Sequence, residues 1–235
     1  MPNYNNTNIS RLIDNNKKRP FVLEPEKSSR PYLSIWIHPK ETIRALIAKN
    51  KNTGFFYLCF LAGLVFLFGS MQLIMFGFYI HFAWTLIISI LLATIIGYAT
   101  FSLSAFFVYI IGKCMKGKGK YKEIRLAIGW SNFPLIVSLL IWILLLALYQ
   151  QNIFIDFPGP LVLSENEVIF LFVLMVIQLV VYIWIIILLI QTVAEVQGFP
   201  AIKSILNLVI ASLAFLFVSI ALFIGSLWIW TLLII

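Results

Sequence analysis

Between Gly54 and Gly112 the chain runs for 59 residues without a single Asp, Glu, Lys or Arg. A bilayer-spanning helix needs ~20 predominantly apolar residues. The stretch therefore holds two spans and a tight turn, since three would leave nothing for loops. The turn is expected around Tyr79–Ala83, where His81 interrupts the apolar texture, giving spans at about 55–78 and 84–112. The second exceeds the minimum length, so it tilts or projects. Three further uncharged stretches follow, Leu126–Ile155, Val168–Ala194 and Ser204–Ile235. Pro134 suits a first helical turn and sets a third span at about 133–149. The fourth, 168–194, ends at Glu195-Val196-Gln197-Gly198-Phe199-Pro200, and the fifth is 204–235. Glycine in that segment suits a C-terminal cap, and proline cannot continue the helix. Composition agrees, with 62% hydrophobic residues, 11% charged residues and a mean hydropathy of +1.00. Soluble domains run near ~45–50% and ~25%, so a soluble globule, disorder, a collagen and a disulfide scaffold are excluded. The expected class is an all-α polytopic membrane protein with five transmembrane helices.

Loop charge sets the expected orientation. Residues 1–53 carry ten basic and four acidic residues, and 113–125 carry six basic and one acidic. The segment 150–167 has only Asp156, Glu165 and Glu167, while 195–203 has Glu195 and Lys203. With five spans, all 17 basic residues fall on the side of the N-terminus. Lys and Arg mark the cytoplasmic side. The expected location is the cell (plasma or inner) membrane, with a cytoplasmic N-terminus and an extracytoplasmic C-terminus. Residues 1–30, which lack periodicity, are expected to form a disordered cytoplasmic arm. The net charge of +8 then reads as attraction to anionic headgroups rather than nucleic acid.

Two short stretches are expected to be cytoplasmic interfacial helices, apolar face down and basic residues toward phosphates. In Pro39–Asn50, Ile43, Leu46 and Ile47 recur at helical spacing, with Lys40, Glu41, Arg44 and Lys49 on other faces and Trp36 just before. In Lys120–Trp130, Tyr121, Ile124 and Ile128 form the stripe, with Lys122, Glu123 and Arg125 off it. Candidate docking or headgroup contacts are therefore Trp36, Lys40, Arg44, Lys116, Lys118, Lys120, Lys122, Arg125 and Trp130. The run Lys116-Gly117-Lys118-Gly119-Lys120 lacks the strand and helix of a phosphate-binding loop and reads as a flexible basic loop.

No Asp, Glu, Lys or Arg sits mid-span, which argues against a proton or ion path. Gln72 and Gln178 are expected to hydrogen-bond between helices for ~1 kcal/mol each. Small residues four apart, Ala93 with Gly97 and Ala221 with Gly225, permit close helix contact but are a common signal. Sequences of the HExxH, GxSxG and GxxxxGK[ST] types are absent, and Asp14 and Asp156 fall on opposite sides of the bilayer, so no aspartyl dyad forms. Cys59 reads as a small packing residue and Cys114 as an interfacial cysteine; neither belongs to a metal-ligand cluster. No enzymatic activity, metal or cofactor is expected.

Three segments taken in order carry a family resemblance. They are Pro31-Tyr32-Leu33-Ser34-Ile35-Trp36 running on to Pro39-Lys40-Glu41-Thr42-Ile43-Arg44, then Tyr121–Arg125 leading to Trp130-Ser131-Asn132-Phe133-Pro134, then Val196-Gln197-Gly198-Phe199. With five spans, the chain resembles the bacterial branch of the Yip-domain (Ypt-interacting-protein) family from Pro31 to Ile235. Tyr32 stands where that pattern leads one to expect Trp. The resemblance implies a multi-pass protein with a cytoplasmic N-terminus and no established catalysis. Eukaryotic relatives bind prenylated Rab-type GTPases, a role that is not carried over to Trp36 or Arg44. The expected function is a non-enzymatic membrane protein that organises the bilayer or recruits a partner at its cytoplasmic face; the alternative is a small lipid or apolar-solute transporter. Expected partners are anionic headgroups and a cytoplasmic protein, with self-association left open.

Overall fold

The computed structural model describes residues 31–49, 54–155 and 164–234. The arm 1–30, with Asp14, and Asp156 lie outside them. Among the described residues every regular element is helical. In chain order these are α1 (Pro31–Ile37), α2 (Pro39–Ala48), α3 (Phe55–Leu73), α4 (Phe82–Cys114), α5 (Tyr121–Ser131), α6 (Leu135–Tyr149), α7 (Glu165–Gln197) and α8 (Ala201–Ile234). Short 3-10 turns at Phe76–Phe78 and Gln150–Phe154 follow α3 and α6. Five helices, α3, α4, α6 with its 3-10 extension, α7 and α8, are long and apolar enough to cross a membrane. This is the expected five-span class.

The helix ends follow local chemistry. His81 caps α4, its Nδ1 accepting from the Ala83 N–H at 3.3 Å. The interruption in the apolar run is therefore the start of a helix. Ser164 and Glu167 cap α7 reciprocally: the Ser164 N–H donates to Glu167 Oε2 at 2.8 Å and the Glu167 N–H to Ser164 Oγ at 3.4 Å. That is a capping box. Gly198 ends α7 at φ +68°, a left-handed conformation that glycine adopts without a Cβ penalty.

The tightest packing in the bundle is the antiparallel crossing of α3 and α4. A Cβ on Gly63 would overlap the Ala93 carbonyl, and one on Gly97 would overlap the Cys59 carbonyl. Cys59 and Ala93 are wholly buried. The small-residue pair Ala93 and Gly97 thus meets a matching pair, Cys59 and Gly63, on the neighbouring helix. Close backbone approach of this kind drives helix association in lipid, where apolar transfer contributes little. Of the second expected pair, Ala221 is exposed, and the surroundings of Gly225 lie outside the described residues. Gln178 makes the expected interhelical bond, Nε2 donating to Ser138 Oγ at 2.7 Å.

The two amphipathic helices turn their apolar faces onto the bundle. In α5, Ile124 and Ala127 are fully buried, as are Ile128, Trp130 and Ser131 to within a few per cent. The helix packs against α3, α4 and α7. The reason is compositional: Leu126 to Gly129 is an unbroken run of apolar or small residues, too wide an apolar surface for a helix lying on headgroups. Ser131 Oγ meets Thr192 Oγ1 of α7 at 2.7 Å, both buried. In α2, Thr42, Ile43 and Leu46 are buried, and the helix packs on α7 and α5. The apolar faces of both helices meet protein.

Two hydrophobic cores result. One holds α1, α2 and α5 against the spans. The other, at the opposite end, holds Phe68, Met71, Ile153 and Phe154. The first end carries the exposed lysines of 113–122 and is termed the basic end below.

Candidate functional site

The basic end is organised around one side chain. Gln197, the last residue of α7, is 1% exposed. Its Nε2 donates to the Val108 carbonyl of α4 at 3.3 Å, and its own carbonyl accepts from the Lys118 N–H at 3.0 Å. A Cβ on Gly112 or Gly117 would overlap the Gln197 amide, and one on Gly119 would press on Val196 at 3.0 Å. The glycines of the 113–120 loop are therefore there to admit Gln197. The Gly117 N–H closes back on the Gly112 carbonyl at 2.7 Å, and Lys116 between them is held at φ +64°. A lysine in that region is uncommon and mildly strained. The expectation of a flexible loop is corrected: the loop is a fixed turn wrapped around Gln197, and it holds Lys116, Lys118 and Lys120 outward and exposed.

The helices beside it form an aromatic cluster. Tyr32 of α1 lies 5.2 Å from Trp130 and 5.6 Å from Phe133 between ring centroids, and Trp36 meets Phe133 edge-on at 6.1 Å. Tyr32 thus serves as an aromatic packing residue in the position where Trp was expected. Arg44 of α2 reaches Glu195 of α7, with Nη2 and Nε at 2.7 and 2.9 Å from the same Oε1. The segments singled out in the sequence, 31–44, 121–134 and 196–199, come together at this one end.

The nine candidate contact residues now divide by environment. Lys40, Lys116, Lys118, Lys120 and Lys122 are exposed. Lys120 sits 4.0 Å from Glu123. Trp36 is half-buried against Phe133. Arg44 is exposed but ion-paired. Trp130 is corrected: at 1% exposure it is a core residue, placed there because α5 is inserted among the spans. Arg125 is partly exposed. Its guanidinium lies 5.0 to 5.7 Å from the rings of Tyr98, Phe55 and Tyr121, and it donates to the Tyr98 hydroxyl at 2.7 Å. These cation–π contacts tie α5 to α3 and α4.

A second feature lies between α4, α5, α7 and α8. It is a groove of about 570 Å³ whose walls include Thr100, Val108, Asn132, Ile190, Ile205 and Ser212. Sequence reading gave no hint of it, because it arises where four helices diverge rather than from any motif. The sequence places Gln197 in the break after the fourth span and in a resembling segment; three glycines within 112–119 are the available signal that something bulky is packed there.

An all-helical bundle with five membrane-length apolar helices and a polar knot at one end defines a multi-pass membrane protein. The sequence pattern of the Yip1 domain matches residues 33–234, and the chain belongs to the Yip1-domain family. Comparison with curated proteins and with solved structures gives no match.

Proposed function

We propose that the protein is non-enzymatic and works at its basic end, which faces the cytoplasm, by organising the membrane or recruiting a partner there. The observation that carries this reading is the convergence of the three family-resembling segments on one end. Beside them Gln197, from the third segment, holds the turn that bears Lys116, Lys118 and Lys120. A platform fixed by Gln197 loses little conformational entropy on binding, the condition for preorganised recognition. The positive charge suits an acidic partner surface or anionic headgroups.

Two measurements test it. A photo-crosslinker at Lys118 should yield a defined adduct in intact cells, while one at Tyr79, exposed at the opposite end, should not; equal or absent adducts would overturn the docking reading. A reporter fused after Ile235 should be active only outside the cytoplasm. Activity inside would reverse the orientation.

Transport of a lipid or apolar solute is the second reading, favoured by the groove. Flux of labelled lipid through reconstituted liposomes no faster than through empty vesicles would dismiss it.

A further inference from the structure

The apolar belt of the bundle is level at one end and stepped at the other. Away from the lysines it is level. The turns after α3 and α6 are joined there by Gln151 Nε2 donating to the Gly77 carbonyl. Tyr149 shares a hollow with Glu167 at the start of α7, and Phe82 at the start of α4 lies 6.5 Å from Phe154. From that edge α3 runs for 19 residues and α6 with its extension for 20, about 28–30 Å at 1.5 Å per residue. A bilayer core is ~30 Å thick, so these two helices cross it with nothing to spare.

The neighbouring α4 starts at the same edge and runs past α3. Phe55 meets Phe101 at 6.1 Å between ring centroids, Cys59 backs Gly97, Gly63 backs Ala93, and Ser89 Oγ donates to Met71 Sδ at 3.3 Å. The two helices are thus antiparallel over the whole of α3, whose first residue is level with Phe101. The remainder of α4, residues 102–114, overhangs by about 20 Å. It carries no charge before Lys113, and its Leu103, Phe106 and Ile110 are exposed. On the α3 side charge comes much lower. The Arg125 guanidinium donates to the Tyr98 hydroxyl at 2.7 Å and lies 5.3 Å from the Phe55 ring. Tyr98 and Lys113 are about 22 Å apart along α4. The polar boundary at the basic end is therefore a step. At its foot is α1, with the Tyr32 hydroxyl beside Gly54 and with Leu33 and Ile37 exposed.

No tilt removes the step. The charge-free run Phe82–Gly112 is about 46 Å long. Fitting it into ~30 Å takes a tilt of about 50°, beyond the ~0–40° range of transmembrane helices. Bound alongside, α3 would then span only about 18 Å. Standing upright in a flat bilayer would put Leu103, Phe106 and Ile110 in water and forfeit their transfer free energy, whereas a bilayer changes thickness at modest cost per ångström. We infer that the protein imposes a step on the surrounding bilayer: the leaflet at the basic end stands high against α4 and low against α3 and α6. This gives the membrane-organising half of the proposed function a physical form and rests on that half alone. Its test needs no partner and no knowledge of which side the basic end faces, so its failure leaves partner recruitment standing.

Spin-label electron paramagnetic resonance on the full chain, in liposomes of phosphatidylcholine and phosphatidylglycerol, tests it. Cys114→Ser removes the exposed native thiol and leaves only buried Cys59. Nitroxides are then placed at Ile110→Cys on the overhang and at Phe56→Cys in the first turn of α3, both exposed positions. Collision with oxygen against an aqueous nickel chelate reads the depth of each label below the headgroups around it. The two positions are about 15 Å apart along the bundle. Each lies within about 5 Å of its own side of the step, so both labels should report shallow depths that agree within about 5 Å. An Ile110 label relaxed by the aqueous chelate would mean a flat bilayer with the overhang in water. A Phe56 label deeper than the Ile110 label by about 10 Å would mean that the whole bundle tilts. Either result would overturn the inference. A second pair, Phe106→Cys and Tyr57→Cys, repeats the comparison if a labelled variant fails to fold, with Phe106 one turn lower than Ile110.

Discussion

The two ends of the bundle are closed in different ways. At the end away from the lysines, closure is apolar. Phe154 is fully buried, stacked on Trp142 at 6.4 Å and packed against Phe68 at 6.2 Å. One side-chain bond from Gln151 Nε2 to the Gly77 carbonyl at 2.9 Å crosses the two turns. At the basic end, closure is polar and specific: Gln197 is keyed into glycines 112 and 117, Ser131 is bonded to Thr192, and Arg44 is paired with Glu195. Apolar closure tolerates exchange of one hydrocarbon side chain for another of similar volume. A keyed amide does not, since it is held by the Val108 backbone carbonyl and by the space that the missing side chains of Gly112 and Gly117 leave.

Substitutions that break each closure separately test the contrast. Phe154→Ala should have the largest effect, about 3 kcal/mol of stability, as a fully buried phenyl ring is lost. Hydrogen exchange should rise at 76–82 and 150–155 and not at 113–120; a rise at both ends would mean the two closures are coupled. Gly97→Val should follow, at about 2 kcal/mol, since its side chain would overlap the Cys59 backbone. Its effect, read from thermal unfolding in detergent, should reach both ends, because the crossing belongs to neither. Gln197→Ala should cost about 1–2 kcal/mol, from a lost buried hydrogen bond and the space left behind. Trypsin should then cut after Lys116 and Lys118 faster by about tenfold, the kinetic equivalent of ~1.4 kcal/mol of local opening. Unchanged cleavage would mean that the loop holds its shape without the glutamine.

Much of this was legible in the sequence. The five spans follow from the charge-free runs, and the Gly198 cap, the His81 break and the Gln178 bond were each readable from one residue and its neighbours. What was not legible depends on distant partners. The periodic stripe of Tyr121, Ile124 and Ile128 predicted one apolar face. Whether that face meets lipid or protein is decided by Ala127 and Trp130 on the flanks, and by the space that α3, α4 and α7 leave between them. A lysine-glycine run reads as flexible when taken alone. Only Gln197, about 80 residues later in the chain, makes it rigid. Arg125 had the charge of a headgroup contact, and its aromatic partners Phe55 and Tyr98 come from two other helices.

The smallest expected effect concerns the Arg44–Glu195 pair. Its side chains are 63% and 22% exposed, so water and salt screen the attraction and the pair should contribute no more than ~0.5 kcal/mol to stability. Arg44→Gln should therefore leave the unfolding midpoint nearly unchanged. Its consequence should be local, because the pair is the charged link from α2 to the end of α7, while Ile43 and Leu46 hold the same helix by burial. Hydrogen exchange over 40–48 should rise modestly in Arg44→Gln, and to the same extent in Glu195→Gln. The double variant should be no worse than either single one, as expected when both remove one interaction. Raising salt should produce the same rise in the wild type and little further change in the variants. If instead Glu195→Gln alone loosened the 113–120 loop, the ion pair would be part of the keyed closure at Gln197, and the polar end would be one cooperative unit rather than a set of neighbouring contacts.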